Sequence, residues 1–245
     1  MTRLLPPLLA LACSPYRGIE DRWSPTWELC ATDGAVDPLD PDATLSAACQ
    51  DRLLADFQAD GAALAAAPVD AGRPDLRACF LVSAHTLLRQ EAGSLPLTEA
   101  SAHIYPVFLD ALQEVRWQVG GDGNRQLAYN FAAHLTWGVQ PTDGLQDGLL
   151  ARTDDDGLHL SPQIAGYCGL GLASLLFHEA GHRVAEDHVP CPDDPTLSCD
   201  QDAQGTYALE VSLDELWLEQ MAEGDAGYET ALELRDTGEA LMLGG

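Results

Sequence analysis

A run of apolar residues that ends in two histidines constrains this chain more than any other feature of its sequence. Residues 169–177 (GLGLASLLF) are apolar and compatible with a helix, and they lead directly into the pentapeptide HEAGH at 178–182. A helix places side chains four positions apart on the same face, about 6 Å from each other. The run therefore predicts a buried helix that presents the rings of His178 and His182 side by side.

This spacing suits a metal ion. Two histidines at i and i+4 can bind one Zn²⁺ at about 2.0–2.1 Å, and the glutamate between them, Glu179, can act as a general base. A third histidine, His188, follows, so that three of the chain's seven histidines fall in one short window. A coincidental pair of histidines is the alternative, but such pairs are more often found on a polar, solvated face. The apolar setting favours a zinc site.

The segment from His178 to His188 resembles the active-site motif of the zincin metallopeptidases, and its pattern HExxHxxAxxH is similar in spacing to the metzincin branch. The resemblance implies that His178, His182 and His188 bind zinc. It also implies that Glu179 is the catalytic base, which assists the attack of a zinc-bound water on a peptide bond. The resemblance is confined to this segment.

One position departs from the metzincin pattern and affects the third ligand. The family has a glycine that turns the chain sharply where this sequence has Ala185, and alanine favours continuing the helix. A helical His188 would point away from the other two histidines. Pro190 instead favours the end of the helix, because a proline disfavours helical angles in the residue before it.

A rival third ligand lies on the next predicted helix, over residues 206–223. On a helical wheel, Glu210 and Asp214 fall inside the apolar face. A carboxylate there is costly to bury unless it is paired, hydrogen-bonded or bound to a metal. Because the gluzincin branch of the zincins takes its third ligand from such a helix, Glu210 is the alternative to His188. Asp214 is predicted to lie behind the ligands and to orient a histidine.

The N-terminus is typical of an export signal. Residues 1–12 contain one arginine and a short apolar run, which is far below the roughly 20 residues needed to span a bilayer. The sequence Leu-Ala-Cys around Cys13 resembles a bacterial lipobox, although ordinary secretion is the alternative. The resemblance implies a lipid on Cys13 and a membrane-anchored protein of the cell envelope, on the outer membrane and facing the periplasm or the surface. Residues 13–43 are rich in Pro and Asp and are predicted to be a disordered or loop-rich tether.

The cysteines support an oxidising compartment. Setting Cys13 aside, six of the seven cysteines remain, an even number that suits disulfide bonds. Proximity predicts two disulfides and leaves two cysteines that either pair or remain buried thiols: Cys191–Cys199 and Cys30–Cys49, then Cys79 and Cys168.

The charge of the chain excludes one class of partner. The sequence has 39 acidic and 12 basic residues, for a formal net charge of −27. Nucleic-acid binding requires a positively charged surface, so no nucleic-acid partner is expected.

The remaining pattern predicts one mainly helical domain over residues 44–245 with a minor β-hairpin or small sheet, an α+β fold with a zincin-like active-site helix. The pattern predicts helices over 44–67, 74–92 and 98–118, and a hairpin with an acidic turn whose strands are 149–153 and 157–161.

These features together predict a zinc metallopeptidase of the cell envelope that acts on a peptide or protein substrate. Two alternatives stay open on the sequence. One is an envelope lipoprotein that serves as a binding or scaffold module with structural zinc or no metal. The other is a zinc hydrolase of a non-peptide amide or ester.

Overall fold

The computed structural model of the chain describes residues 21–31, 44–89, 127–145, 149–183, 206–225 and 227–242. Helices predominate in these residues and one small sheet accompanies them, so the predicted α+β class is confirmed. The helices are α1 Trp23–Cys30, α2 Ala47–Asp56, α3 Gly61–Ala66, α4 Leu76–Arg89, α5 Leu127–Leu135, α6 Leu170–Gly181, α7 Thr206–Gln220 and α8 Tyr228–Met242. The strands are β1 Gln140–Pro141, β2 Ala151–Asp154 and β3 Gly157–Leu160.

Helix α6 is the predicted buried helix, and it lies at the centre of the described fold. Nine of its 12 residues are buried, including His178 and Glu179. A helix that is apolar on all sides is stable only when neighbours cover it, and α4, α5, α7 and strand β2 all pack against α6. The core of the domain therefore surrounds the histidine motif and holds it in place.

Helix α7 approaches α6 closely at Gly181. A Cβ atom on Gly181 would lie 2.8 Å from both Leu209 Cδ1 and Thr206 Cγ2, a separation that real side chains essentially never show. Glycine in the motif therefore lets the start of α7 lie against the end of α6. This contact brings polar side chains of α7 toward the histidines.

The predicted hairpin is present immediately before the motif helix. Strand β2 pairs with β3 in antiparallel register, with Arg152 opposite His159. Strand β1, which the sequence analysis did not predict, adds to β3 in parallel and gives the order β1-β3-β2. Among the described strands, β2 is therefore an edge strand, and it is the strand that contacts α6.

The interpretation of residues 13–43 as a loop-rich tether is wrong for the part that the structure describes. Helix α1 falls within that range, and the backbone N–H of Trp23 at its start donates to Asn130 Oδ1 at 2.9 Å. The buried residues of α1 are a threonine and a cysteine. Such a helix lacks the apolar period by which amphipathic helices are predicted. It packs on the domain and belongs to it.

The helical pattern over 44–67 forms two helices, α2 and α3, rather than one. The chain turns between them at residues 57–60, where Gln58 has a positive φ of 49°. The side chain of Asp60 then accepts a hydrogen bond from the Ala63 amide and caps α3. The pattern over 74–92 is observed as α4, and the one over 98–118 lies outside the described residues.

Two disulfide bonds connect separate elements of the described fold. The predicted bond Cys30–Cys49 joins α1 to α2, and Cys79–Cys168 joins α4 to the segment that precedes α6. Disulfides persist in oxidising compartments, so both bonds are compatible with an exported protein. Within the described residues, no helix has the length and apolar character needed to span a membrane.

Candidate metal centre

The two motif histidines and the glutamate between them converge at the end of α6. The ligand atoms of His178, Glu179 and His182 all lie within 4.8 Å of one another. The two imidazole rings have centroids 5.0 Å apart, near the spacing predicted from the sequence. His182 follows the last residue of the helix but keeps helical angles of φ −59° and ψ −18°. Its ring therefore stays on the same face as that of His178.

This set of donors fits a metal ion. Nitrogen ligands that lie about 2.0–2.1 Å from one zinc ion are at most about 4 Å apart, so small side-chain rotations suffice to bring the donors onto one ion. His178 and Glu179 are only 5% and 4% exposed, and a buried carboxylate is costly unless a partner compensates it. Imidazole donors suit zinc and several other transition metals. The residues can hold an ion of this kind.

Glu210 on α7 fixes the orientation of His178. Its Oε2 atom lies 2.8 Å from His178 Nδ1, and both side chains are largely buried. When Nδ1 donates its proton to this carboxylate, the lone pair of the ring is on Nε2, where a metal can take it. The sequence offered Glu210 as an alternative third ligand. In the observed geometry it is the hydrogen-bond partner of a proposed ligand.

Asp214 lies one turn beyond Glu210 on α7 and accepts a hydrogen bond of 2.9 Å from Ser174 Oγ on α6. It is fully buried, and its Oδ2 atom has no hydrogen-bond partner among the described residues. Burial raises the pKa of Asp214 well above its usual value, and the charges of Glu210 and Glu215 raise it further. The sequence predicted that Asp214 orients a ligand histidine. The structure shows it holding α7 against α6 one turn before His178.

Thr153 on the edge strand β2 contacts the proposed base. Its Oγ1 hydroxyl donates a hydrogen bond of 2.7 Å to Glu179 Oε2. The contact restricts rotation of the carboxylate and joins the hairpin to the motif. The sequence analysis missed Thr153, because a lone threonine in a short strand has no spacing that identifies it. The feature that could have pointed to Thr153 was the position of the hairpin just before the motif in the sequence.

Arg183, the residue after His182, makes a second contact with the same strand. Its Nη2 atom donates to the backbone carbonyl of Asp154, and its guanidinium group lies 5.1 Å from the centre of the Trp137 ring. Thr153 and Asp154 are consecutive, so Glu179 and Arg183 together hold the end of β2 at two adjacent residues. The sequence analysis did not single out Arg183 or Trp137.

Several predicted residues lie outside the described part of the chain. They are the third histidine His188 with Ala185, the cysteines Cys191 and Cys199, and Cys13 with the predicted signal peptide at 1–12. The helix that carries the motif ends at Gly181, ahead of Ala185. The assignments of His188 as third ligand and of Cys191–Cys199 as a disulfide stay predictions.

Comparisons of the chain with protein-family models, with curated proteins and with solved structures found no match. The interpretation of the centre is carried by its own residues and their geometry.

Replacing Glu210 is expected to weaken metal binding without abolishing it. Glu210→Ala removes the acceptor that orients His178, and loss of such a partner typically costs about 10- to 100-fold in metal affinity. Glu210→Gln keeps an acceptor oxygen and should lose less. Zinc affinity is measured by competition with a chromophoric chelator, with the exposed Glu219→Ala on the same helix as the control. A loss as complete as that caused by His182→Ala would make Glu210 a direct ligand instead.

Proposed function

We propose that this chain is a zinc-dependent peptidase that is exported to the cell envelope. The observation that supports the proposal is the meeting of two histidines, a buried glutamate and an orienting carboxylate at the end of α6. Structural zinc sites are usually closed by four protein ligands, most often cysteines and histidines. A glutamate between two histidines, held by a hydroxyl group, is instead suited to proton transfer.

Each residue of the centre has a defined part in the proposed reaction. His178 and His182 would hold the ion, which when bound supplies Lewis-acid polarisation of a carbonyl group and of water. Glu179 accepts a proton from the attacking water and delivers it to the leaving amine. Thr153, 2.7 Å from Glu179 Oε2, orients that carboxylate for both transfers, since proton transfer depends on the position of the base.

The edge strand supports a peptide as the substrate. An exposed edge can accept an extended peptide as an additional strand, through backbone hydrogen bonds that do not depend on sequence. Strand β2 lies at the edge of the described sheet, and Thr153 within it touches Glu179. A peptide paired along β2 would run past the proposed base, which favours a peptide over a small ester.

The proposed location follows from the cysteines. Two disulfides in the described residues are compatible with export. The predicted lipobox at Cys13 would add a lipid anchor and hold the domain at a membrane surface of the envelope.

The proposal is tested by metal removal. The purified chain without residues 1–12 should cleave at least some members of an unstructured peptide mixture. Dialysis against a zinc chelator should abolish cleavage, and stoichiometric Zn²⁺ should restore it, because the ion polarises the reacting groups. Products are identified by mass spectrometry.

Two results would contradict the peptidase and separate its alternatives. Zinc bound without any peptide cleavage, but with hydrolysis of amide or ester model compounds, would favour a non-peptide hydrolase. Zinc bound without hydrolysis of either class would favour a binding module in which the metal is structural.

A further inference from the structure

A cleft of about 520 Å³ opens beside Arg183, the residue directly after His182 in the chain. The described residues that line it are Arg22, Gln58, His134, Leu135, Trp137 and Arg183.

The charge of this cleft is opposite to that of the chain. The sequence carries a formal charge of −27 and only 12 basic residues, yet two arginines line this one cleft and none of its described lining residues is acidic. Positive groups gathered in a concave site of an acidic protein attract anions locally.

Both arginines are held in place before any ligand arrives. Arg22 Nη1 donates to the backbone carbonyls of Asp56 and Ala133, the latter at 2.6 Å. Arg183 donates to the Asp154 carbonyl and stacks over Trp137. A guanidinium fixed in this way loses little conformational entropy when it binds an anion.

One donor of Arg183, its Nε atom, is buried and has no hydrogen-bond partner among the described residues. An unmet buried donor destabilises the folded state, so native proteins rarely leave one. A carboxylate is the acceptor that matches the planar edge of a guanidinium.

We propose that this cleft binds a carboxylate of the substrate, so that the enzyme prefers peptides that carry a negative charge beside the cleaved bond. The proposal rests on the proposed function, and it names the substrate class of the same site. Position supports it: Thr153 touches Glu179 while the next residue, Asp154, touches Arg183. A peptide along β2 would therefore pass Glu179 and Arg183, which is one wall of the cleft, within about one residue of each other. The carboxylate is either an acidic side chain or the C-terminus of the peptide.

The test measures binding separately from cleavage. Zinc-loaded Glu179→Gln protein is titrated calorimetrically with pairs of short peptides that differ only in Glu against Gln at one position, or in a free against an amidated C-terminus. The carboxylate member of one pair is expected to bind about tenfold more tightly, since hydrogen bonds to charged groups are the stronger ones. The pair that shows the preference identifies the source of the carboxylate. Equal affinities in both series would overturn the proposal.

Variants assign the effect to the cleft. Arg183→Gln should abolish the preference, so that the carboxylate and neutral peptides bind with an affinity ratio of about one. Arg235→Gln on α8 should leave the preference unchanged. If Arg183→Gln does not fold, Arg183→Lys keeps the charge and a donor for the Asp154 carbonyl but removes Nε, and it should reduce the preference to about threefold or less. An undiminished preference in the folded variant would overturn the assignment. Cleavage by the wild type is scored separately: cleavage without preference supports the peptidase alone, and preference without cleavage supports the anion site alone.

Discussion

The double variant His178→Ala/His182→Ala is expected to lose its zinc, whereas the wild-type chain holds about one ion. Both rings lie on one face of α6 with centroids 5.0 Å apart, and Glu179 alone cannot retain an ion once both nitrogens are gone. Catalytic zinc is usually held by three protein ligands, so removing two of them leaves essentially no binding. Elemental analysis of protein freed of excess metal by gel filtration measures the result.

The control for this variant is His159→Ala. His159 lies on β3 and bonds to Thr142 and Asp154, away from the set of donors on α6, and its loss should leave the zinc content unchanged. Far-ultraviolet circular dichroism checks that both proteins are folded. Equal zinc in the wild type and the double variant would remove these histidines from the metal centre.

Those parts of the fold that follow from local patterns could be predicted from the sequence. The apolar run before His178 predicted α6, and the two short runs that flank the acidic turn at 154–156 predicted the hairpin. Helix α1 could not be predicted because tertiary contacts stabilise it. Its buried threonine bonds to the Asp56 carboxylate on α2, and its cysteine forms a disulfide to α2. A search for apolar periodicity within a short stretch of sequence detects neither of these contacts.

The candidate site likewise contains some residues that local sequence patterns predict and others that they do not. The pair His178 and His182 depends only on helical spacing, and Glu210 was identified as an acidic residue on an apolar helical face. Thr153 and Arg183 could not be identified, because their roles depend on contacts with residues 26 and 29 positions away. Such contacts exist only once the hairpin has packed on α6.

The hydrogen bond between Glu210 and His178 bears on which residue is the third metal ligand. A carboxylate that accepts from His178 Nδ1 makes that histidine a better ligand, and it is itself less available to the ion. His188 therefore stays the first hypothesis for the third ligand, and the helix that carries the motif ends at Gly181, ahead of it. His188→Ala is the variant whose zinc affinity bears on this hypothesis.

Glu179→Gln is expected to keep the metal and to lose about 10²–10⁴-fold in kcat for peptide cleavage. Glutamine has the shape of glutamate and can still accept the hydrogen bond from Thr153, but it cannot take a proton from water at neutral pH. Because the change affects proton transfer and not the surface that binds the peptide, KM should change little. Steady-state kinetics on a cleaved peptide, together with zinc analysis of the same sample, measure both effects.

The matched control is Glu233→Gln on α8, an exposed glutamate, which should retain wild-type turnover. The combination of measurements decides what Glu179 does. Lost turnover with lost zinc would make it a metal ligand, because a carboxylate ligand weakens when it becomes an amide. Unchanged turnover with zinc retained would exclude it as the base, and another group near the ion would then have to accept the proton. Only lost turnover with zinc retained agrees with a base that Thr153 holds beside the two histidines.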